Sequence, residues 1–204
     1  MIYEFRTYIL QPRTMPEFLK RFEEMLPKRQ EISPLAACWF TEVGSLNEVT
    51  HVWPYENMAE RSRLRAEAVK ANAWPPKVHD LIVEMKSEIF EPLPFSPPLT
   101  PSDNGPIFEM RSYVIKPAST PQMAKNWTES LPERLKLSPL TGVFTSELGG
   151  LNQWVHIWAY KSMEHRAQVR DKAMAEGIWP PKGPSPVVRM QNRIMLPASF
   201  SPIR

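Results

Sequence analysis

His51-Val52-Trp53-Pro54-Tyr55 returns 105 positions later as His156-Ile157-Trp158-Ala159-Tyr160, and this recurrence decides how the whole chain is read. At that offset residues 1–99 align with 106–204 without a gap, and roughly 36 positions are identical, far above chance for segments of this length. The matches include Glu4/Glu109, Arg6/Arg111, Tyr8/Tyr113, Gly44/Gly149, Asn47/Asn152, Arg61/Arg166, Arg65/Arg170 and Trp74-Pro75-Pro76-Lys77/Trp179-Pro180-Pro181-Lys182. The chain is an internal duplication that has kept its loop lengths.

One copy is enough to predict the fold. Residues 2–10 alternate and are rich in aromatic and β-branched types, so they read as a strand closed by Pro12. Thr14 is expected to cap a helix with Met15, Phe18, Leu19, Phe22, Met25 and Leu26 on one apolar face, ending before Ser33-Pro34. Residues 36–43 and 48–56 read as strands joined at Gly44-Ser45-Leu46-Asn47. A second helix follows from about Asn57 to Asn72, and residues 81–90 alternate as a last strand.

The order βαββαβ is the ferredoxin-like split unit, an α+β fold with helices on one sheet face. Its other face would be left bare, so the two units are expected to close against each other as an intramolecular dimeric α/β barrel. The expected boundaries are a first repeat at 1–92, a Pro-rich linker at 93–106 and a second repeat at 107–204.

Composition narrows the partners. In 204 residues, 25 basic and 22 acidic side chains leave a formal charge of +3, and no Lys/Arg run suggests a nucleic-acid groove. The strand pattern begins at Ile2, with no room for a signal peptide, and no apolar run is long enough to span a bilayer. A single cysteine, Cys38, fits a reducing compartment, so the expectation is a cytoplasmic protein with no nucleic-acid or membrane partner.

Six equivalent positions carry opposite charge in the two copies: Lys28/Glu133, Glu31/Lys136, Glu56/Lys161, Glu67/Lys172, Glu84/Arg189 and Glu88/Arg193. Near the pseudo-twofold axis such swaps favour unlike halves pairing, with drift on solvated faces as the plainer reading.

Strand parity sorts the repeated residues. Glu4, Arg6 and Tyr8 share a face, as do Asn47, His51, Trp53 and Tyr55; the second copy offers Glu109, Arg111, Tyr113, Asn152, His156, Trp158 and Tyr160. The aliphatic parity suits helix packing, so this polar and aromatic set is expected to line the barrel interior as a pocket. Its carboxylates should pair with Arg6 or Arg61 and with Arg111 or Arg166. Arg61/Arg65 and Arg166/Arg170, four apart on a helix, are candidate anion contacts, with surface salt bridges as the alternative. A buried network that merely fixes sheet docking competes with any functional role.

No phosphate loop, nucleophile elbow or cysteine pair is present, and His51, His79, His156 and His165 lack metal-ligand spacing, so no metal is expected and no catalytic residue is assigned.

Tyr3-Glu4-Phe5-Arg6-Thr7-Tyr8, then Thr41-Glu42-Val43-Gly44-Ser45-Leu46-Asn47 leading to His51-Val52-Trp53, with Tyr55, Arg61, Arg65 and Trp74, resemble the NIPSNAP domain. The second copy repeats the pattern in Phe108-Glu109-Met110-Arg111-Ser112-Tyr113, Glu147-Leu148-Gly149-Gly150-Leu151-Asn152, His156-Ile157-Trp158 and Tyr160. The resemblance implies the dimeric α/β-barrel superfamily, whose haem-degrading and quinone-forming monooxygenases suggest small planar ligands. Here the repeated histidine lies on a strand rather than at a helical haem-ligand position, so no cofactor is expected.

The leading expectation is a NIPSNAP-like protein that binds a small aromatic or acidic molecule. The alternatives are a cofactor-independent or haem-linked monooxygenase or isomerase using His51/Tyr55 or His156/Tyr160, and a non-catalytic interaction module. A homodimer of whole chains is the weaker expectation about assembly.

Overall fold

Alternation in the first residues becomes a strand because every second side chain enters an apolar layer. The computed structural model describes the whole chain, Met1–Arg204. The first copy runs β1 (Ile2–Leu10), α1 (Met15–Gln30), β2 (Ala37–Val43), β3 (Glu48–Tyr55), α2 (Met58–Lys70) and β4 (Ile82–Pro92). The second runs β5 (Ile107–Ile115), α3 (Thr120–Leu135), β6 (Leu140–Leu148), β7 (Gln153–Tyr160), α4 (Met163–Ala175) and β8 (Val187–Pro197).

Local signals explain the ends. Asn57 and Ser162 cap α2 and α4 by accepting the Glu60 and His165 backbone N–H at 2.9 and 3.0 Å. Thr14 holds the cap position of α1 but makes no side-chain cap; its hydroxyl donates to the Gln11 carbonyl at 2.7 Å. Pro16 explains why this is tolerated, since a proline in the first turn removes one of the N–H groups a cap would serve. At the β2–β3 and β6–β7 turns Asn47 and Asn152 adopt φ of 56° and 55°, a left-handed conformation that asparagine accepts at low cost. Their carbonyls accept the Leu10 and Ile115 N–H groups at 2.8 and 2.9 Å. Both asparagines are therefore turn residues, which corrects their expected place in a pocket.

The eight strands close in the order β1-β3-β2-β8-β5-β7-β6-β4, with the halves joined where β2 meets β8 and β4 meets β6. The expected barrel is present, but its sides are the reverse of those predicted. The interior is filled by the opposite parity: Tyr3, Phe5, Trp39, Val52 and Phe90 from one half, with Phe108, Met110, Phe144, Ile157 and Met195 from the other. An eight-stranded barrel has a bore that large side chains fill, and charge enters that parity only as Glu88, opposite Phe5, and the Glu48–Arg193 pair, with Arg193 opposite Met110. Consequently Glu4, Arg6, Tyr8, His51, Trp53, Tyr55 and their twins face outward, beneath the helices.

Tails cross between halves. After β4, Leu93 N–H bonds the Val143 carbonyl at 3.0 Å and Ser96 Oγ accepts Val143 N–H at 2.9 Å. After β8, Ala198 N–H bonds the Cys38 carbonyl at 3.0 Å and Ser201 Oγ accepts Cys38 N–H at 3.0 Å. Residues 93–106 thus form a packed seam, pinned further by Leu99 N–H on the Tyr3 hydroxyl at 3.4 Å.

Of the charge swaps, one pair of positions works across the junction. Arg193 on β8 forms an ion pair with Glu48 on β3, and at the equivalent place Gln153 Nε2 donates to Glu88 at 2.9 Å. The helical swaps are satisfied locally instead, as in Arg63–Glu67 and Lys136–Glu133. A pairing of two first halves would set Glu88 against Glu48. Accordingly, Arg193→Glu is expected to lower stability by about 3 kcal/mol, and adding Glu48→Arg to recover much of that loss, as read by urea denaturation.

Candidate functional site

Each half places a carboxylate at the centre of a guanidinium cluster. Glu109 Oε1 accepts from Arg111 on its own strand at 2.9 Å, Arg166 of α4 at 2.6 Å and Asn192 of β8 at 3.0 Å. Glu4 Oε1 does the same with Arg6 at 2.8 Å, Arg61 of α2 at 2.6 Å and Ser87 of β4 at 2.7 Å. Both glutamates are fully buried. Burial alone would raise their pKa; the hydrogen bonds from Arg61 or Arg166 and the surrounding charges prevail, holding each carboxyl at about 2. Arg61 and Arg166, predicted as anion contacts, are thus committed to the protein's own carboxylates.

Beside each carboxylate is a histidine of fixed tautomer. Trp158 Nε1 donates to His156 Nδ1 at 2.8 Å and Trp53 Nε1 to His51 Nδ1 at 2.7 Å. Indole only donates, so Nδ1 must carry the lone pair and Nε2 the proton. Burial, then the nearby arginine charges, push both pKa values well below the ordinary 6.5, so both rings are neutral. Neither His156 Nε2–H nor Glu109 Oε2 has a hydrogen-bond partner in the protein. Haem ligation through Nε2 would move the proton to Nδ1, against the indole N–H. The residues therefore do not fit an axial ligand. No group of three His, Cys, Asp or Glu residues comes together to hold a metal.

The halves differ in what lies above this cluster. In the second half a cavity of about 490 Å³ opens between the sheet and α3/α4, with Glu109, Arg111, Tyr113, His156, Trp158 and Tyr160 on its wall. Trp127 and Trp179 meet edge to face at 4.7 Å, Trp158 lies 5.8 Å from Trp179, and Arg170 also contributes to the wall. In the first half Val78 and Leu81 are buried where the second has Gly183 and Pro186, and they pack with Trp74 into the core under α1. Arg21 of α1 latches that loop, donating to Asp80 Oδ1 at 2.9 Å and to the Lys77 carbonyl at 2.9 Å. A cavity of about 710 Å³ in this half is an outer groove over Trp74, touching none of the polar and aromatic set.

Sequence reasoning missed Arg29 and Arg134. Both are buried in the last turn of their helices, donate to Tyr55 and Tyr160 hydroxyls at 3.2 Å, and lie over Trp53 and Trp158 rings at 4.6 and 4.0 Å. The signal was available, for arginine recurs at 29 and 134 and falls on the apolar stripe of Phe22 and Leu26.

An eight-stranded barrel made of two βαββαβ repeats, with polar clusters beneath its helices, defines the class. The NIPSNAP family model matches residues 3–97 and 108–202, and the chain belongs to that family. It is 32% identical over 186 residues to the NipSnap homolog of Dictyostelium discoideum, covering 87% of this chain and 78% of that protein. It is 30% identical over 220 residues to human NipSnap homolog 3A, covering 100% of this chain and 86% of that one. Among solved structures, a putative monooxygenase from Lactobacillus acidophilus shares the fold, with a TM-score of 0.71 at 10% identity over 97% of this chain and 94% of that chain. No helix is long and apolar enough to cross a membrane.

Replacing Glu109 by Gln should cost on the order of 3 kcal/mol at pH 7, because a pKa held at about 2 instead of 4.5 stabilises the native ion. That stabilisation is complete above the unfolded pKa and vanishes as pH falls through the folded one. The difference between wild type and variant in urea midpoint should therefore narrow between pH 4.5 and 2.

Proposed function

We propose that this chain is a small-molecule-binding protein that takes one planar, oxygen-bearing ligand per chain, in the cavity of its second half. The observation that carries this reading is the wall of that cavity. Arg111, Tyr113 and Tyr160 bring polar groups to a wall that Trp127, Trp158 and Trp179 otherwise make flat and apolar, whereas Val78 and Leu81 fill the equivalent space in the first half. A concave, mostly apolar wall with a few convergent polar groups is what a small-molecule site needs. The tryptophans supply flat apolar surface for a ring.

Binding is favoured over proton transfer because no group at the site is poised near neutrality. Glu109 is ionised down to about pH 2, His156 is neutral with its proton already on Nε2, and burial raises Tyr160 further. A His–Tyr acid–base pair would need at least one of them poised near working pH. The fold shared with a putative monooxygenase and an anthrone oxidase-like protein adds no residue to that argument. A cytoplasmic setting suits the one cysteine, whose thiol is buried and pushed up in pKa by that burial.

Titration with 2-naphthol by tryptophan fluorescence and calorimetry should give one site per chain. The His156 Nε2–H resonance should move on binding while that of His51 stays. Trp179→Ala should weaken binding about tenfold. Two equivalent sites, or no saturable binding, would contradict the reading.

A further inference from the structure

Arg134 is a buried cation without a counter-ion. It is only 3% exposed, yet its hydrogen bonds go to neutral groups, Ser138 Oγ at 2.9 Å and the Tyr160 hydroxyl at 3.2 Å. The nearby carboxylate is spoken for, with Glu109 paired to Arg111 and Arg166. Arg134 lies on the cavity wall, and so does Arg170. The first half treats the counterpart of Arg170 differently, since Arg65 reaches Glu4 Oε2 at 3.7 Å. Arg170 makes no such pair and is left facing the open cavity.

A guanidinium held out of water loses its hydration, and an aromatic face plus helix-terminal carbonyls replace only part of it. Desolvation accordingly lowers the pKa of Arg134, the direction that a neighbouring anion would reverse. Most arginines this buried would be neutralised by a carboxylate of the chain itself. Here the wall keeps two guanidinium groups without a carboxylate partner, one buried and one exposed, close enough that the charge of Arg170 is felt at Arg134, beside a cavity of about 490 Å³.

We propose that the ligand is an aromatic carboxylate, its carboxylate held between Arg134 and Arg170 and its ring lying against Trp158 and Trp179. This rests on the binding role assigned to the cavity above and names the chemical class that fills it. The planar fork of arginine matches the two oxygens of a carboxylate, which a point charge would not. The twin in the sealed half, Arg29, also lacks a carboxylate and leaves Nε and Nη1 unpaired, but Val78 and Leu81 occupy the space where a ligand would sit. One carboxylate per chain is the consequence.

The test compares three probes of equal ring size, 2-naphthoate, 2-naphthol and 2-naphthylmethylammonium, by calorimetry at pH 7 on the full chain. Naphthoate should bind at least about tenfold tighter than naphthol, and the ammonium weakest of the three. Arg170→Gln, at the exposed mouth, should weaken naphthoate binding at least about tenfold more than it weakens naphthol binding, with the melting temperature unchanged. Arg134→Gln should do the same where it folds, and the mouth variant decides if it does not. Equal affinity for naphthoate and naphthol would overturn the anionic assignment while leaving the cavity a binding site. Failure of all three probes to bind would overturn the binding role and this inference with it.

Discussion

Glu109 and Glu4 bind the helix layer to the sheet, and much else depends on how they are satisfied. A carboxylate taken wholly out of water costs more than a single hydrogen bond returns, so each recruits cations from its own strand and from the helix above. Arg166 reaches down from α4 and Arg61 from α2, each at 2.6 Å. That requirement places the charged parity of β1 and β5 outward, leaves most of the bore to Phe5, Phe108, Phe144 and Met195, and puts the Glu4 and Glu109 clusters between sheet and helices. The barrel bore is therefore packed, and the buried carboxylate clusters lie on its outer faces.

Duplication has given the two faces different fates. The carboxylate, the arginines, the Trp-locked histidine and the Trp-Pro-Pro-Lys turn survive in both, so the underlying network is common to both. What diverged is the cover. Val78, Asp80 and Leu81 give the first half an apolar plug and an anchor for Arg21, whereas Gly183, Ser185 and Pro186 withdraw from the same space in the second. Asn126 stands where Arg21 does, accepting from Gln122 Nε2 at 2.7 Å and donating to the Pro184 carbonyl at 3.3 Å, with no ion pair to the loop. A plugged copy beside an open one is what a molecule with one ligand site and one stabilising half would look like.

The element order, the turns at Asn47 and Asn152 and the closure of two units into one barrel were legible because each rests on local periodicity or on the burial of an open sheet face. Parity also divided the strand residues into the right two sets. It could not say which set faced inward, since alternation is indifferent to side and the bulk of Tyr3, Phe5 and Trp39 was a better guide to the bore than the polarity of Glu4. The Glu4–Arg61 and Glu109–Arg166 partnerships followed from the cost of burying charge. The difference between the two covers did not, because it turns on the packing of a few loop residues, Val78 against Gly183 above all. Arg134 escaped notice because an arginine in a helix reads as solvated unless its place on the apolar stripe is followed.

The central claim is that the functional space lies beneath the helices of the second half and outside the bore. Nuclear Overhauser contacts from a bound naphthyl probe locate it directly. Contacts are expected to the Trp158 and Trp179 rings and the Met190 methyl, with none to Phe108 or Phe144. Contacts to Phe108 and Phe144, without those to Trp158 and Trp179, would place the ligand in the bore and contradict it.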